Sequence, residues 1–184
     1  MCGQVALDRR DIKMKVIFVR HGAPDYSELE ERSYTGFGLD LAPLSEQGRL
    51  QAQELCQHPL LRSADLLVSS AVTRALETAS YVACATGLPL RVEPLLHEWQ
   101  VYERGRENFE KARSLFLENN GALLPNSPIQ YETAEEMRAR FVDCMAKYRD
   151  YQTVVLVAHR MLIRQFVPDE TIDFCQVIEC EIEI

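Results

Sequence analysis

Apolar residues along this chain follow two rhythms. In five places they crowd into short runs: KVIFV at 15–19, DLLVSS at 65–70, part of LPLRVEPLL at 88–96, TVVLVA at 153–158 and FCQVIECEIEI at 174–184. KVIFV and TVVLVA are unbroken, as in strands buried on both faces, whereas the last run alternates like an edge strand. Between the runs, apolar positions recur every three or four residues. LSEQGRLQAQELCQ, 44–57, opens with Ser45 as an N-cap. After the second run, Val72, Ala75, Leu76, Ala79, Val82 and Ala83 share one helical face, and Gly87 and Pro89 end it. RENFEKARSLFLENNG, 106–121, puts Phe109, Ala112 and Phe116 on one side and stops at Gly121. TAEEMRARFVDCMAKYRDY, 133–151, starts with a capping box, Thr133 and Glu136, and aligns Met137, Phe141, Cys144, Met145 and Tyr148. A short helix follows the fourth strand and runs to Pro168, while 22–43 reads as a long loop.

Strands alternating with helices predict an α/β fold: three layers, α/β/α, around a central, mostly parallel sheet. A chain of 184 residues suits one domain, here 14–184, with 1–13 as a flexible tail. In such sheets ligands bind beyond the carboxyl ends of the strands.

Composition narrows the function classes. The apolar fraction of 47% and charged fraction of 26% are those of an ordinary soluble domain. No apolar run reaches the roughly 18 residues of a membrane helix. The opening MCGQVALDRRDIKMK lacks the apolar block of a signal peptide, so a cytoplasmic protein without a membrane partner is expected. The net charge of -8 gives no support to nonspecific nucleic-acid binding, although a locally basic pocket can still take an anion. Six cysteines without a C-x-x-C pair read as buried thiols, not as disulfides or a zinc site. CQHPLLR, 56–62, matches the C-x5-R spacing of cysteine phosphatases, but Pro59 lacks an N–H and no glycine lets the loop curl around phosphate.

Chemistry concentrates at the expected strand ends. The first strand ends in Arg20-His21-Gly22, the second leads to Arg74 through SSAVTR, and the fourth ends in His159. Two guanidiniums match phosphoryl oxygens with their forked donors. A neutral imidazole can attack phosphorus, and a second imidazole can help stabilise the transition state. Gly22 would permit close backbone approach to a substrate. A carboxylic acid must protonate the leaving oxygen; Glu98 and Glu103 in LLHEWQVYERG both qualify, and Glu98 lies nearer the strand end.

Five segments in order resemble the histidine phosphatase superfamily, the phosphoglycerate-mutase-like proteins: RHG, LSEQGRLQAQ, SSAVTRALETA, LLHEW and VVLVAHRMLIR, spanning about 14–184. The resemblance implies His21 as the phosphate-accepting nucleophile. It implies Arg20, Arg74 and His159 as phosphoryl ligands and Glu98 as proton donor, with no metal and no cofactor. The expected activity is phosphomonoester hydrolysis on a small-molecule substrate. A mutase is the alternative, although Trp99–Tyr131 is short for a large lid. A phosphate-recognising module without turnover is the other.

The chain departs from the family pattern in three places. Arg160 stands where the family commonly has glycine, so it can narrow the pocket, shift His159 or add a third guanidinium beside the phosphate. Ala23 and Ala71 replace a frequent polar residue and a frequent proline. Arg164 reads as an ion-pair partner, His58 and His97 as surface residues, and Arg104, Arg106 and Arg113 as a solvated helix face that could reach substrate. The alternating last strand could pair across a homodimer.

Overall fold

The computed structural model describes residues 13–103, 106–167 and 171–184. Residues 1–12 of the expected tail and the Pro168 stop lie outside them, and Lys13 already belongs to the first strand. The elements are β1 Lys13–Arg20, α1 Ser27–Glu31, α2 Glu46–Leu55, β2 Leu66–Ser70, α3 Thr73–Thr86, β3 Leu90–Glu93, α4 Arg106–Glu118, α5 Ala134–Met145, β4 Thr153–Ala158, α6 Arg160–Ile163 and β5 Val177–Glu183. Among the described residues the strands form one sheet in the order β3-β2-β4-β1-β5. All neighbours are parallel except β1 and β5, which are antiparallel.

The period-two alternation inside the buried strands sorts their side chains between two cores. Val16, Phe18, Val154, Leu156, Leu66 and Val68 face one side, packed with residues of α4, α5 and α6. Ile17, Val19, Val155, Val157 and Leu67 face the other, against α2 and α3. Covered on both faces, β1 and β4 therefore show no polar alternation in sequence. The expected three layers are present.

The caps behave as their residue types dictate. Ser45 accepts a hydrogen bond from the Gly48 amide at 3.0 Å, and Thr133 and Glu136 close a reciprocal box. Two differences matter for the site. The long loop at 22–43 contains α1 and a 3-10 segment, Gly36–Leu41. The last strand starts at Val177 rather than at 174, because Cys175 turns there with a φ of 58° and donates its N–H to the Arg20 carbonyl at 3.0 Å.

Candidate active site at the carboxyl edge of the sheet

Register brings the two histidines together. Arg20 lies opposite Ala158 in the parallel β1–β4 pair, and the His21 N–H continues the ladder to the Ala158 carbonyl at 3.1 Å. His21 and His159 thus leave adjacent strands at the same height, with ring centroids 5.1 Å apart. Both are buried.

Their hydrogen bonds set their protons. His21 Nδ1 lies 2.8 Å from the Gly22 carbonyl, which can only accept, so Nδ1 carries the hydrogen. Nε2 keeps its lone pair and receives the Nε–H of Arg74 at 3.3 Å. Burial first, and then the Arg74 charge, push the His21 pKa down to about 3, so the ring is neutral at working pH. His159 Nε2 stands 2.9 Å from the Ser70 hydroxyl, while its Nδ1 is buried without a partner. Ser70 already accepts from the Val72 amide at 3.3 Å, so its own hydrogen can go to Nε2. Burial, then Arg74 and His21, hold His159 well below the usual imidazole range.

The arginines come from the next two positions along the same edge. Arg74 sits in the first turn of α3 and is buried; its Nη1 has no hydrogen bond and lies 3.7 Å from the Asp40 carboxylate in the 3-10 segment. Arg20 donates from Nη1 to the Ile172 carbonyl at 2.6 Å and lies over the Phe174 ring, 3.8 Å from its centroid. Its Nε is buried and unpaired. Burial, then Arg160, bring the Arg20 pKa down to about 10. Both guanidiniums thus retain donors for an anion. Thr78 ties the two strand exits together, accepting from the Gly22 amide at 3.0 Å and donating to the Arg74 carbonyl at 2.8 Å.

Gly22 has a packing role that its position did not suggest. A Cβ there would meet the Gly48 carbonyl oxygen at 2.7 Å, and a Cβ at Gly48 would meet the Ala23 carbonyl oxygen at 2.1 Å. The glycine lets the exit of β1 press against α2. The same contact is fastened by Ser45 N–H to Ala23 O at 2.9 Å and Ala23 N–H to Gln51 Oε1 at 2.9 Å.

Glu98 follows β3 and a 3-10 turn, Pro94–Leu96, and its Oε1 accepts from the Trp99 amide at 2.9 Å. Burial raises its pKa, against the opposing pull of that amide and of Arg74 and Arg20. The neighbouring Trp99 is wedged edge-on to Phe109 and Phe116, which fixes the Glu98 backbone. Glu103 is committed elsewhere: both its carboxylate oxygens receive the Gln130 amide, at 3.0 and 2.8 Å. The two glutamates thus differ in that Glu98 keeps one carboxylate oxygen clear of its amide donor, whereas both oxygens of Glu103 face one.

Arg160 opens α6 directly after His159; it is half-buried, its carbonyl accepts the Arg164 N–H at 3.0 Å, and its guanidinium makes no hydrogen bond or ion pair among the described residues. Arg164, expected in an ion pair, makes none among them either. His58 and His97 are half-buried rather than on the surface. CQHPLLR forms no phosphate loop, since Cys56 caps α2 with its thiol on the Ala52 carbonyl and Pro59–Ser63 is a 3-10 turn. Among the described residues, no three His, Cys, Asp or Glu side chains cluster as metal ligands would, and no helix is long and apolar enough to cross a membrane. Ser70, Thr78, Asp40, Phe174 and Gly48 are site residues that sequence reasoning passed over. Ser70 and Thr78 lay inside the SSAVTRALETA segment; Asp40 and Phe174 carried no periodic or motif signal.

A family model described as the histidine phosphatase superfamily (branch 1) matches residues 16–169. A probable phosphoglycerate mutase, GpmB, of Photorhabdus laumondii is 27% identical over 139 residues, covering 71% of this chain and 63% of the relative, under two thirds of its length. An adenosylcobalamin/alpha-ribazole phosphatase of Escherichia coli is 26% identical over 160 residues, covering 80% of this chain and 74% of the relative. Among solved structures, mycobacterial hydrolase 1 superposes with a TM-score of 0.63 at 28% identity, over 83% of this chain and 78% of that one. A mycobacterial glucosyl-3-phosphoglycerate phosphatase superposes with a TM-score of 0.59 at 26% identity, over 83% and 77%.

Proposed function

The chain belongs to the histidine phosphatase superfamily, and from that premise we propose that it hydrolyses small phosphomonoesters through a phosphohistidine on His21, without a metal. The observation that carries this reading is the His21 ring: neutral, with its hydrogen held on Nδ1 by Gly22 and its Nε2 lone pair beside Arg74.

Nε2 attacks phosphorus and the ester P–O bond breaks, with Arg20, Arg74 and the unpaired Nδ1–H of His159 receiving charge on the phosphoryl oxygens. Glu98, its carboxyl pKa raised by burial, gives its proton to the departing alkoxide. Water then attacks the phosphohistidine while Glu98 takes a water proton. The P–N bond breaks, its electron pair returns to Nε2 and phosphate leaves. The phosphatases among the relatives favour hydrolysis over transfer to a second substrate position.

The test is turnover of a generic phosphomonoester in EDTA, with the enzyme trapped by acid-free denaturation. The expected result is EDTA-insensitive hydrolysis and an acid-labile, base-stable phosphoryl label that His21→Ala removes. No label and no turnover across a broad ester panel would overturn the reading in favour of a binding module. Positional exchange without phosphate release would make the protein a mutase.

A further inference from the structure

The loop that carries Glu98 is fastened, on both sides of that residue, to one buried ion pair. Arg140, on α5, donates from Nη1 to the Leu95 carbonyl, upstream of Glu98. The same guanidinium forks onto the Glu132 carboxylate, from Nε to Oε1 at 2.5 Å and from Nη2 to Oε2 at 3.0 Å. Glu132 in turn holds the downstream side of the loop. Its Oε2 accepts the Gln100 N–H at 3.3 Å, its carbonyl accepts the Trp99 ring N–H at 2.6 Å, and its own N–H goes to the Gln100 carbonyl at 2.9 Å. The two side chains are withdrawn from water, with 10% of Arg140 and 7% of Glu132 exposed.

Local sequence builds this clamp. The Thr133–Glu136 box fixes the start of α5 directly after Glu132. Arg140 lies about two turns further on, and helical side chains lean toward the N-terminus, so its stem reaches back to Glu132. Stability alone does not call for charges here, because apolar residues of similar volume would join the two segments as well as a buried ion pair does. What the pair adds is direction, since a planar fork fixes angle as well as distance. Glu98 takes its direction from the backbone. Its carboxylate accepts from the adjacent Trp99 amide at 2.9 Å, and its carbonyl accepts from the adjacent His97 ring at 2.7 Å. Both bonds lie within the loop, so the placement of the loop decides where the carboxyl sits.

We infer that Glu132 and Arg140 are positioning residues for the proton donor, holding the loop so that the Glu98 carboxyl meets the departing oxygen, a role that rests on the reading of Glu98 as the acid of phosphomonoester hydrolysis. The pair acts through Leu95, Trp99 and Gln100 rather than on the phosphoryl group.

Rapid-quench measurement of phosphoryl-label formation in the full chain tests it, because it isolates the step that needs the acid. The two esters are 4-nitrophenyl phosphate, whose nitrophenolate leaves without a proton, and propyl phosphate, whose alkoxide does not. Removing one partner of a buried pair strands a charge, so the main variant is the double one, Glu132→Leu with Arg140→Met, which removes equal and opposite charges. It should slow labelling by propyl phosphate about tenfold or more, a part of the hundredfold or more of a general acid, and labelling by nitrophenyl phosphate about twofold or less. Arg140→Lys, conservative enough to fold, keeps the charge but not the fork, and should show the same selectivity at about threefold. Trp99, the sole tryptophan, should become more open to acrylamide quenching in the double variant, with far-ultraviolet circular dichroism unchanged. Equal slowing with both esters, or no slowing with either in the folded variants, would overturn the positioning role, as would selective slowing with Trp99 quenching unchanged. Glu98→Gln is the control. If it does not discriminate between the esters, or if the unmodified protein takes no label from either, the proton-donor reading itself fails and the positioning role falls with it.

Discussion

His21 and His159 leave neighbouring parallel strands at the same level, both buried and both held neutral, yet the residues around them differ at every turn. His21 has its Nδ1 hydrogen tied to the next carbonyl and its lone pair turned to Arg74. His159 takes a serine hydroxyl on Nε2 and leaves Nδ1 unpaired. The residue after His21 is a glycine locked against α2, and the residue after His159 is an arginine whose guanidinium has no hydrogen-bond or ion-pair partner among the described residues. Residue type and burial therefore do not assign roles. The hydrogen-bond partner of each nitrogen distinguishes them: it leaves His21 with its Nε2 lone pair beside Arg74 and His159 with a spare donor.

The largest expected effect breaks this pair apart. His21→Ala should lower kcat about ten-thousandfold or more and abolish the phosphoryl label, as expected when a nucleophile is lost. His159→Ala should cost about a hundredfold, as loss of one transition-state donor does, with the label still forming. Rapid-quench kinetics decides, and a label that survives His21→Ala but not His159→Ala would exchange their roles.

The following residues give a second, smaller contrast. Gly22→Ala should destabilise the fold by about 1–3 kcal/mol, because its Cβ meets a backbone oxygen rather than a yielding side chain. Arg160→Gly should cost about 1 kcal/mol, the helix-propensity term, since its guanidinium makes no hydrogen bond or ion pair among the described residues. Denaturant midpoints measure both, and equal costs would mean that the β1 exit tolerates a side chain.

The last contrast, one the two rings share, is in the pH dependence of stability. His21 ionises near pH 3 in the folded chain, against about 6.5 when unfolded. Between those values the unfolded chain binds the extra proton, so stability rises with pH and is lost as pH falls from about 6.5 toward 3. His159 acts in the same direction. His21→Asn should flatten the melting temperature between pH 6.5 and 4 by a few degrees. An acid limb as steep as that of the unmodified protein would place the proton uptake elsewhere.

Much of this was legible in one dimension. The unbroken apolar strands, the Ser45 cap and the Thr133–Glu136 box are local matters of spacing and residue type, and they reappear with little change. The histidines, Arg20, Arg74 and Glu98 could be named because parallel strands in an α/β sheet deliver their following residues to one edge. Glu98 could be preferred over Glu103, five residues further on, only for lying nearer the strand end; that Gln130, distant in sequence, occupies Glu103 could not be read. The packing of Gly22 was hidden for the same reason, since its neighbour Gly48 approaches from another element.

By itself, then, the sequence determined the layers, the strands and the identity of the groups at the sheet edge, because these follow from short-range periodicity and from the direction of parallel strands. Tertiary structure alone decided which nitrogen of each histidine is free, which glutamate the Gln130 amide occupies, what Gly22 packs against, and that Arg160 lies half-buried beside His159. Those depend on contacts between residues tens of positions apart, where burial and a few ångströms of distance set protonation and pairing, and no local pattern records them.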